Sequence, residues 1–384
     1  MTPSSPLYLD HNATTPPAPE VVAAMRRALE EAWGNPSSAH PAGRAARRAV
    51  EQATEQVAAL IGAHPDEIVF TSGGTESNDL AIFGTLAVAP ADRRGILTTA
   101  VEHPAVALPV AALEAQGHPV VRLAPDTEGA LLLGSPPGRG GLPPLALATV
   151  MLANNETGAI HPVAALAERA RAAGAVVHTD AAQAVGKIPV DVDALGVDLL
   201  TVVGHKLYGP KGVGALYVRR GTALRPRLLG GGQQRGLRPG TEAVPSIVGL
   251  GAACERAGAD LQAEGARQAS LRDELAGRLR EAVPGLVVTA ERAPRLPNTL
   301  HVRFPGVTGA TILARCGSVA ASTGSACHDG IEQPSQVLLA MGIAPGDALG
   351  AVRLSLGRST TASEVVAAAA ALAAAWSGDD GRKG

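Results

Sequence analysis

Short apolar runs, rich in β-branched residues, recur at positions 67–70, 95–100, 120–123, 145–152, 175–179, 198–203 and 213–218. Runs of this length, bounded by Gly, Pro and polar clusters, read as strands buried on both faces. Helical segments lie between most of them, among them 44–60, 79–87 and 162–173. Strand and helix in alternation predict a βαβ series, and therefore a mainly parallel sheet with helices on both faces. After residue 250 the pattern changes. Helices at 253–262 and 267–282 precede smaller strands at 286–289 and 299–303, and an alanine-rich helix closes the pattern at 365–376. Segment 129–144 reads as a loop and Gly230-Gly231-Gly232 as a flexible turn. The expectation is an α/β chain of more than one domain, divided near residue 250.

Bulk properties narrow the function. The chain has 384 residues, 46% hydrophobic and 18% charged, with a formal net charge of −2. That balance gives no electrostatic reason to expect nucleic acid or an anionic membrane as partner. The start, Met1 to Pro6, has neither a basic nor an apolar signal region, and 365–376 is too short to span a bilayer, so a cytoplasmic location is expected. Cys254, Cys316 and Cys327 are not spaced for a zinc site or a disulfide framework, and no HExxH occurs among the scattered histidines, so no metal is expected.

Two strand ends carry candidate chemistry. The run Leu199 to Val203 ends on Gly204-His205-Lys206, and the run Ala175 to Thr179 ends on Asp180. Open α/β sheets bind ligands beyond the carboxyl ends of parallel strands. Burial there disfavours the ammonium form and frees an amine nucleophile. An amine and a carboxylate at adjacent strand ends are what pyridoxal 5'-phosphate needs, one for its aldehyde and one for its ring nitrogen. A surface lysine and a solvated aspartate would leave the same trace. Between strand 67–70 and helix 79–87, the loop Thr71-Ser72-Gly73-Gly74-Thr75-Glu76-Ser77-Asn78 suits a phosphate at a helix N-terminus. It matches neither a Walker loop nor a dinucleotide turn.

The ordered set of motifs resembles the class V aminotransferase-like pyridoxal-phosphate enzymes, and within them the cysteine desulfurases and selenocysteine lyases. It runs from Tyr8-Leu9-Asp10-His11-Asn12-Ala13-Thr14-Thr15-Pro16 through Val101-Glu102-His103, Asn154-Asn155-Glu156-Thr157-Gly158 and Asp180-Ala181-Ala182-Gln183. It continues through Gly204-His205-Lys206, Arg238-Pro239-Gly240-Thr241 and Ser322-Thr323-Gly324-Ser325-Ala326-Cys327 to Arg353-Leu354-Ser355. The resemblance implies a fold type I transferase: a large cofactor-binding domain over 13–250, and a smaller α+β domain from 1–12 and 251–384.

It also implies roles. Lys206 binds the cofactor aldehyde, Asp180 holds the ring nitrogen protonated, and His103 stacks on the ring. Gln183 meets the phenolic oxygen, with Asn155 on the wall beside it. Thr75, His205 and the backbone of Gly74 hold the phosphate. Thr241 reaches the phosphate of a neighbouring subunit, so a homodimer is expected. Arg353 grips the substrate α-carboxylate, aided by Asn12. An arginine in an apolar strand could equally serve an internal ion pair. The family often has a serine where this chain has Val203, which removes one hydroxyl from the phosphate.

Cys327 decides the reaction class. Its surroundings are small and polar, as in a mobile, exposed loop, whereas Cys254 and Cys316 sit in apolar helical contexts. The resemblance makes Cys327 the acceptor of sulfur from L-cysteine, with Lys206 or His103 moving the α-proton. Alanine leaves, and a persulfide passes to an acceptor protein, in sulfur transfer of the kind that feeds iron–sulfur cluster assembly. The segment His328 to Ser335 looks instead like that of selenocysteine lyases, so L-selenocysteine is the alternative substrate. A pyridoxal-phosphate aminotransferase or a silent binding homologue is a more remote alternative.

Overall fold

Each apolar run of the first part forms a strand: β1 (Ile68–Thr71), β2 (Gly95–Thr99), β3 (Val120–Leu123), β4 (Leu145–Thr149), β5 (Val176–Asp180), β6 (Leu199–Val203) and β7 (Gly214–Val218). The computed structural model describes residues 6–133, 142–324 and 333–378, with the backbone alone of Cys327–His328 and Ile331–Glu332. The seven strands make one sheet in the order β1-β7-β6-β5-β4-β2-β3. The pairs from β3 through β6 are parallel, and β7 runs antiparallel to both β6 and β1. The mainly parallel sheet is as the alternating pattern predicted.

Successive residues of these strands enter different cores. Val69, Ile96, Leu147, Leu199 and Leu216 pack toward α3 (Gly74–Leu86) and α4 (Pro104–Ala115). Their neighbours Phe70, Leu97, Ala148, Leu200 and Tyr217 share a cluster with residues of α2 (Pro41–Leu60), α5 (Val163–Ala172) and α6 (Val244–Ala259). Burial on both faces is why the strands read as continuous apolar runs. Truncating one such side chain, as in Leu200→Ala, costs about 2–5 kcal/mol.

A second cluster forms around α7 (Leu261–Ala282), β8 (Thr299–Arg303), β9 (Ala351–Ser355) and α8 (Ala362–Ser377), with Leu275, Leu300, Leu354 and Leu372 at its centre. Leu9 belongs to this cluster, and Leu7–Tyr8 pairs in parallel with Val319–Ala320. Among the described residues no helix is long and apolar enough to cross a membrane.

Several boundaries differ from expectation. Helix α3 starts at Gly74 rather than 79, because its polar first turn is anchored by side-chain hydrogen bonds to the preceding loop and to Asp180. The Ser72 N–H donates to Glu76 Oε2, Ser77 Oγ meets Thr71 Oγ1, and Asn78 Nδ2 donates to Asp180. Helix α2 starts at Pro41 rather than 44, capped by His40. The break expected between 262 and 267 falls at Asp260, where φ −138° interrupts the helix. The run 145–152 ends as a strand at Thr149. Within the expected loop 322–330, Cys327–His328 pairs antiparallel with Ile331–Glu332. Residues 134–141 of the loop 129–144, and the side chain of Cys327, lie outside the described residues.

Candidate active site

The carboxyl ends of β2, β4, β5 and β6 open, beside the N-terminus of α3, onto a cavity of about 380 Å³. Small-molecule sites commonly have this size and this place at strand ends. The cavity brings together Asn12, Gly74, Thr75, His103, Asn155, Asp180, Gln183, His205, Lys206 and Arg353. Thr241 is not among them; it is exposed, just past Gly240.

Lys206 follows β6 in a short 3-10 turn and is partly buried. Its Nζ donates to the carbonyls of Asn12 at 2.6 Å and Ala13 at 2.7 Å. Burial pushes the amine down to about 8, with Arg353 adding to the effect and Asp180 and Asp10 opposing it. His205 beside it is lowered to about 4, by burial and then by Lys206. His103 caps α4: its Nδ1 accepts the Ala105 N–H, so the neutral ring carries its proton on Nε2. Burial lowers its pKa, against the pull of Asp180.

Asp180, at the end of β5, accepts from the Ala182 N–H at 3.0 Å and from Asn78 Nδ2 at 2.8 Å. Behind it runs a directional chain of hydrogen bonds. Asn78 must turn its NH2 to the carboxylate, so its Oδ1 takes the Thr201 hydroxyl proton at 2.7 Å. Thr201 Oγ1 then accepts from His178 Nε2 at 3.1 Å, and His178 Nδ1 accepts from the Thr149 hydroxyl at 2.8 Å. Burial holds His178 down at about 4, consistent with a neutral ring. Below the cavity, Glu102 accepts from Thr99 Oγ1 and the Met151 N–H, and burial pushes its carboxyl up to about 8.

The opposite wall comes from distant parts of the chain. Arg353 donates to Asp10 Oδ1 at 2.7 Å and to the Asn155 carbonyl at 3.0 Å, while its buried Nε has no partner. Asn12 uses its whole side chain within the protein. Its Nδ2 donates to Thr299 Oγ1 and the Asn155 carbonyl, and its Oδ1 accepts from Asn298 Nδ2 and Lys187 Nζ. Its backbone carbonyl takes Gln183 Nε2 at 2.9 Å as well as Lys206. Asn78, Glu102, Asp10 and Lys187 were not singled out in the sequence. Asn78, Glu102 and Asp10 carried a signal only by lying inside recognisable motifs, and Lys187 carried none.

These residues fit pyridoxal phosphate. Lys206 supplies a partly neutral amine, and Asp180 a carboxylate fixed by two donors. Gln183 keeps one amide hydrogen uncommitted, and Arg353 Nε is an orphaned donor. A Cβ at Gly74 would stand 2.7 Å from Val203 Cγ2, so the backbone of α3's first turn is kept bare, with amides that lack helical partners. Cys254 and Cys316 are buried, and burial pushes Cys254 up to about 12, which leaves both inert.

Comparison with known proteins agrees. A cysteine desulfurase from Nostoc sp. is 45% identical over 367 residues, covering 94% of this chain and 90% of that protein. A selenocysteine lyase from Bos taurus is 43% identical over 404 residues, covering 94% and 91%. A solved structure described as a NifS-like protein superposes with a TM-score of 0.88 at 34% identity, covering 97% of this chain and 99% of its own. The aminotransferase class-V family model matches residues 7–367. A match of that extent, on a chain whose strand ends converge on an amine, a carboxylate and a bare helix start, means that this chain belongs to the class-V aminotransferase family, whose members depend on pyridoxal phosphate.

Proposed function

We propose that this protein is a pyridoxal-phosphate-dependent cysteine desulfurase, which converts L-cysteine to L-alanine and leaves the sulfur as a persulfide on Cys327. The observation that carries this reading is the Lys206 amine, lowered to about 8 in the same cavity as the anchored carboxylate of Asp180. When bound, the cofactor supplies an electron sink for bonds at the substrate's α and β carbons. Lys206 Nζ holds its aldehyde carbon, and Asp180 keeps a proton on its ring nitrogen. Gly74, Thr75 and His205 take the phosphate. Arg353 binds the substrate carboxylate, in part through the Nε that has no partner within the protein. Lys206 suits α-proton transfer better than His103, whose Nδ1 already accepts a backbone N–H.

Cys327 acts as nucleophile. Its thiolate forms an S–S bond to the substrate sulfur while the Cβ–S bond breaks, and Cβ gains a hydrogen to give alanine. In balance, the Cys327 thiol and L-cysteine become the Cys327 persulfide and L-alanine. The named relatives support cysteine as substrate, and the bovine relative supports selenocysteine as the second reading. We further propose that a cytoplasmic homodimer passes the sulfur to an acceptor protein. Thr241, exposed and outside its own chain's cavity, suits a role at the neighbouring subunit's phosphate. The cluster that joins Leu9 to Leu275, Leu300, Leu354 and Leu372 supports a smaller domain from 1–12 and 251–384 beside a large one over 13–250.

The test is alanine release by purified wild type and Cys327→Ala, from each substrate. A selenol is more acidic than a thiol and leaves more easily. The variant is therefore expected to lose nearly all activity on cysteine while retaining measurable activity on selenocysteine. Near wild-type release from cysteine by the variant sinks the desulfurase reading. A wild type active on selenocysteine alone makes the second reading the right one.

A further inference from the structure

Lys187 takes no part in the chemistry above, yet its amine is embedded in the site. It follows Gly186 in the turns after β5 and is only partly exposed. Its Nζ lies 2.6 Å from Gln183 Oε1 and 3.0 Å from Asn12 Oδ1. Among the described residues no carboxylate pairs with it, and burial, with Lys206 and Arg353, pushes it well below the ordinary lysine range. A lysine kept among amides without a counter-ion is costly, so its two contacts call for a reason.

Hydrogen-bond direction supplies one. A lysine amine presents N–H donors, so the two atoms it touches are the carbonyl oxygens of both amides. Gln183 is then fixed: Oε1 faces Lys187, and Nε2 gives one hydrogen to the Asn12 carbonyl. Reversing the amide would set NH2 against Lys187 and oxygen against the Asn12 carbonyl oxygen. Gln183 lines the cavity, so its second Nε2 hydrogen is the one left for a ligand.

We propose that Lys187 is a positioning residue that makes Gln183 offer an N–H to the cavity, and so selects a bound cofactor whose oxygen at that place is ionised. The inference rests on reading the cavity as the pyridoxal-phosphate site. The charged and titratable groups that face the cavity are Lys206, Arg353, Asp180, His103 and His205, and those beside Lys187 on its other side are His11, Glu264 and Arg358; the substitutions below leave all of them in place.

The test follows the visible absorbance of the cofactor-loaded protein from pH 6 to 10, which reports ionisation of the bound chromophore. Lys187→Met removes the donor at nearly constant length, and is expected to raise the midpoint by about one unit, the effect of one hydrogen bond to the charged form. Lys187→Gln keeps an N–H on a shorter stem, and is expected to raise it by about half a unit. Gln183→Ala raises the midpoint too, and adding Lys187→Met to it is expected to change nothing more, because Lys187 acts through Gln183. An unchanged midpoint in whichever Lys187 variant folds, or full additivity in the double variant, overturns the role of Lys187. A wild type that takes up no pyridoxal phosphate shows no band at all, and then the cofactor reading falls and this inference with it.

Discussion

The wall of the cavity made by strand ends and the wall made by residues 10–15 with 298, 299 and 353 are both dense in hydrogen bonds, but they are assembled over different spans of chain. On the first wall, His178 meets Thr201 across 23 residues and Thr149 across 29, distances set by the register of neighbouring strands. On the second, Asn12 meets Asn298 across 286 residues and Thr299 across 287, and Asp10 meets Arg353 across 343. One wall is a by-product of sheet formation. The other exists only when the two ends of the chain have met.

Lys206 belongs to the first wall yet is held by carbonyls of the second, so Lys206→Ala is expected to have the largest effect. The variant is expected to lose the visible band of the loaded protein entirely. A band that survives borohydride reduction and maps to another lysine by peptide analysis refutes the assignment. Two buried asparagines then measure the walls separately. Asn12→Ala strands four side-chain partners and is expected to cost about 4–5 kcal/mol in urea melts, against about 2–3 kcal/mol for Asn78→Ala, which strands two. Equal costs, or the reverse order, would mean that the second wall carries no special weight.

A gentler probe is pH. With its pKa lowered to about 8, Lys206 is half neutral there, whereas an ordinary lysine reaches that point near ~10.4. Capture of pyridoxal phosphate by the cofactor-free protein, followed by stopped-flow absorbance, is expected to rise about tenfold per pH unit below 8 and to level off above about 8.5. A rate still climbing at pH 10 contradicts the lowered amine. The smallest effect is expected at Val203, which is buried against Gly74. Val203→Ser is expected to tighten cofactor binding by about 0.5–1.5 kcal/mol, the net worth of one hydrogen bond, in a dialysis titration. Unchanged affinity means that the phosphate is already satisfied.

What could be read in advance follows the same division. Lys206 and Asp180 were legible because Asp180 ends, and Lys206 closely follows, a strand buried on both faces, and an apolar run that runs into a charged residue is a local signal. Asn78 was missed because Thr71 to Asn78 lacks apolar periodicity. The helix starts at Gly74 all the same, held by Glu76 and Ser77 through the preceding loop and by Asn78 through Asp180 on a distant strand. Arg353 drew attention as a charge in an apolar strand, but its pairing with Asp10 depends on a contact that no local pattern encodes. Lys187 had no signal whatever: a single lysine after a turn glycine is ordinary until Gln183 and Asn12 are seen around it.

The pairing of the first residues with the last strand also orders events during synthesis. Leu9 and Asp10 leave the ribosome long before Ser355, whose N–H binds the Leu9 carbonyl at 2.7 Å. At the usual pace of translation the interval is roughly 17–70 s. During that time the nascent chain can complete its central sheet and both strand ends, but the carbonyl of Asn12 that orients Lys206 and Gln183 is not yet fixed. Cofactor retention is therefore a property of the finished polypeptide, and a chain cut short before residue 355 carries the chemical groups without the means to hold them in register.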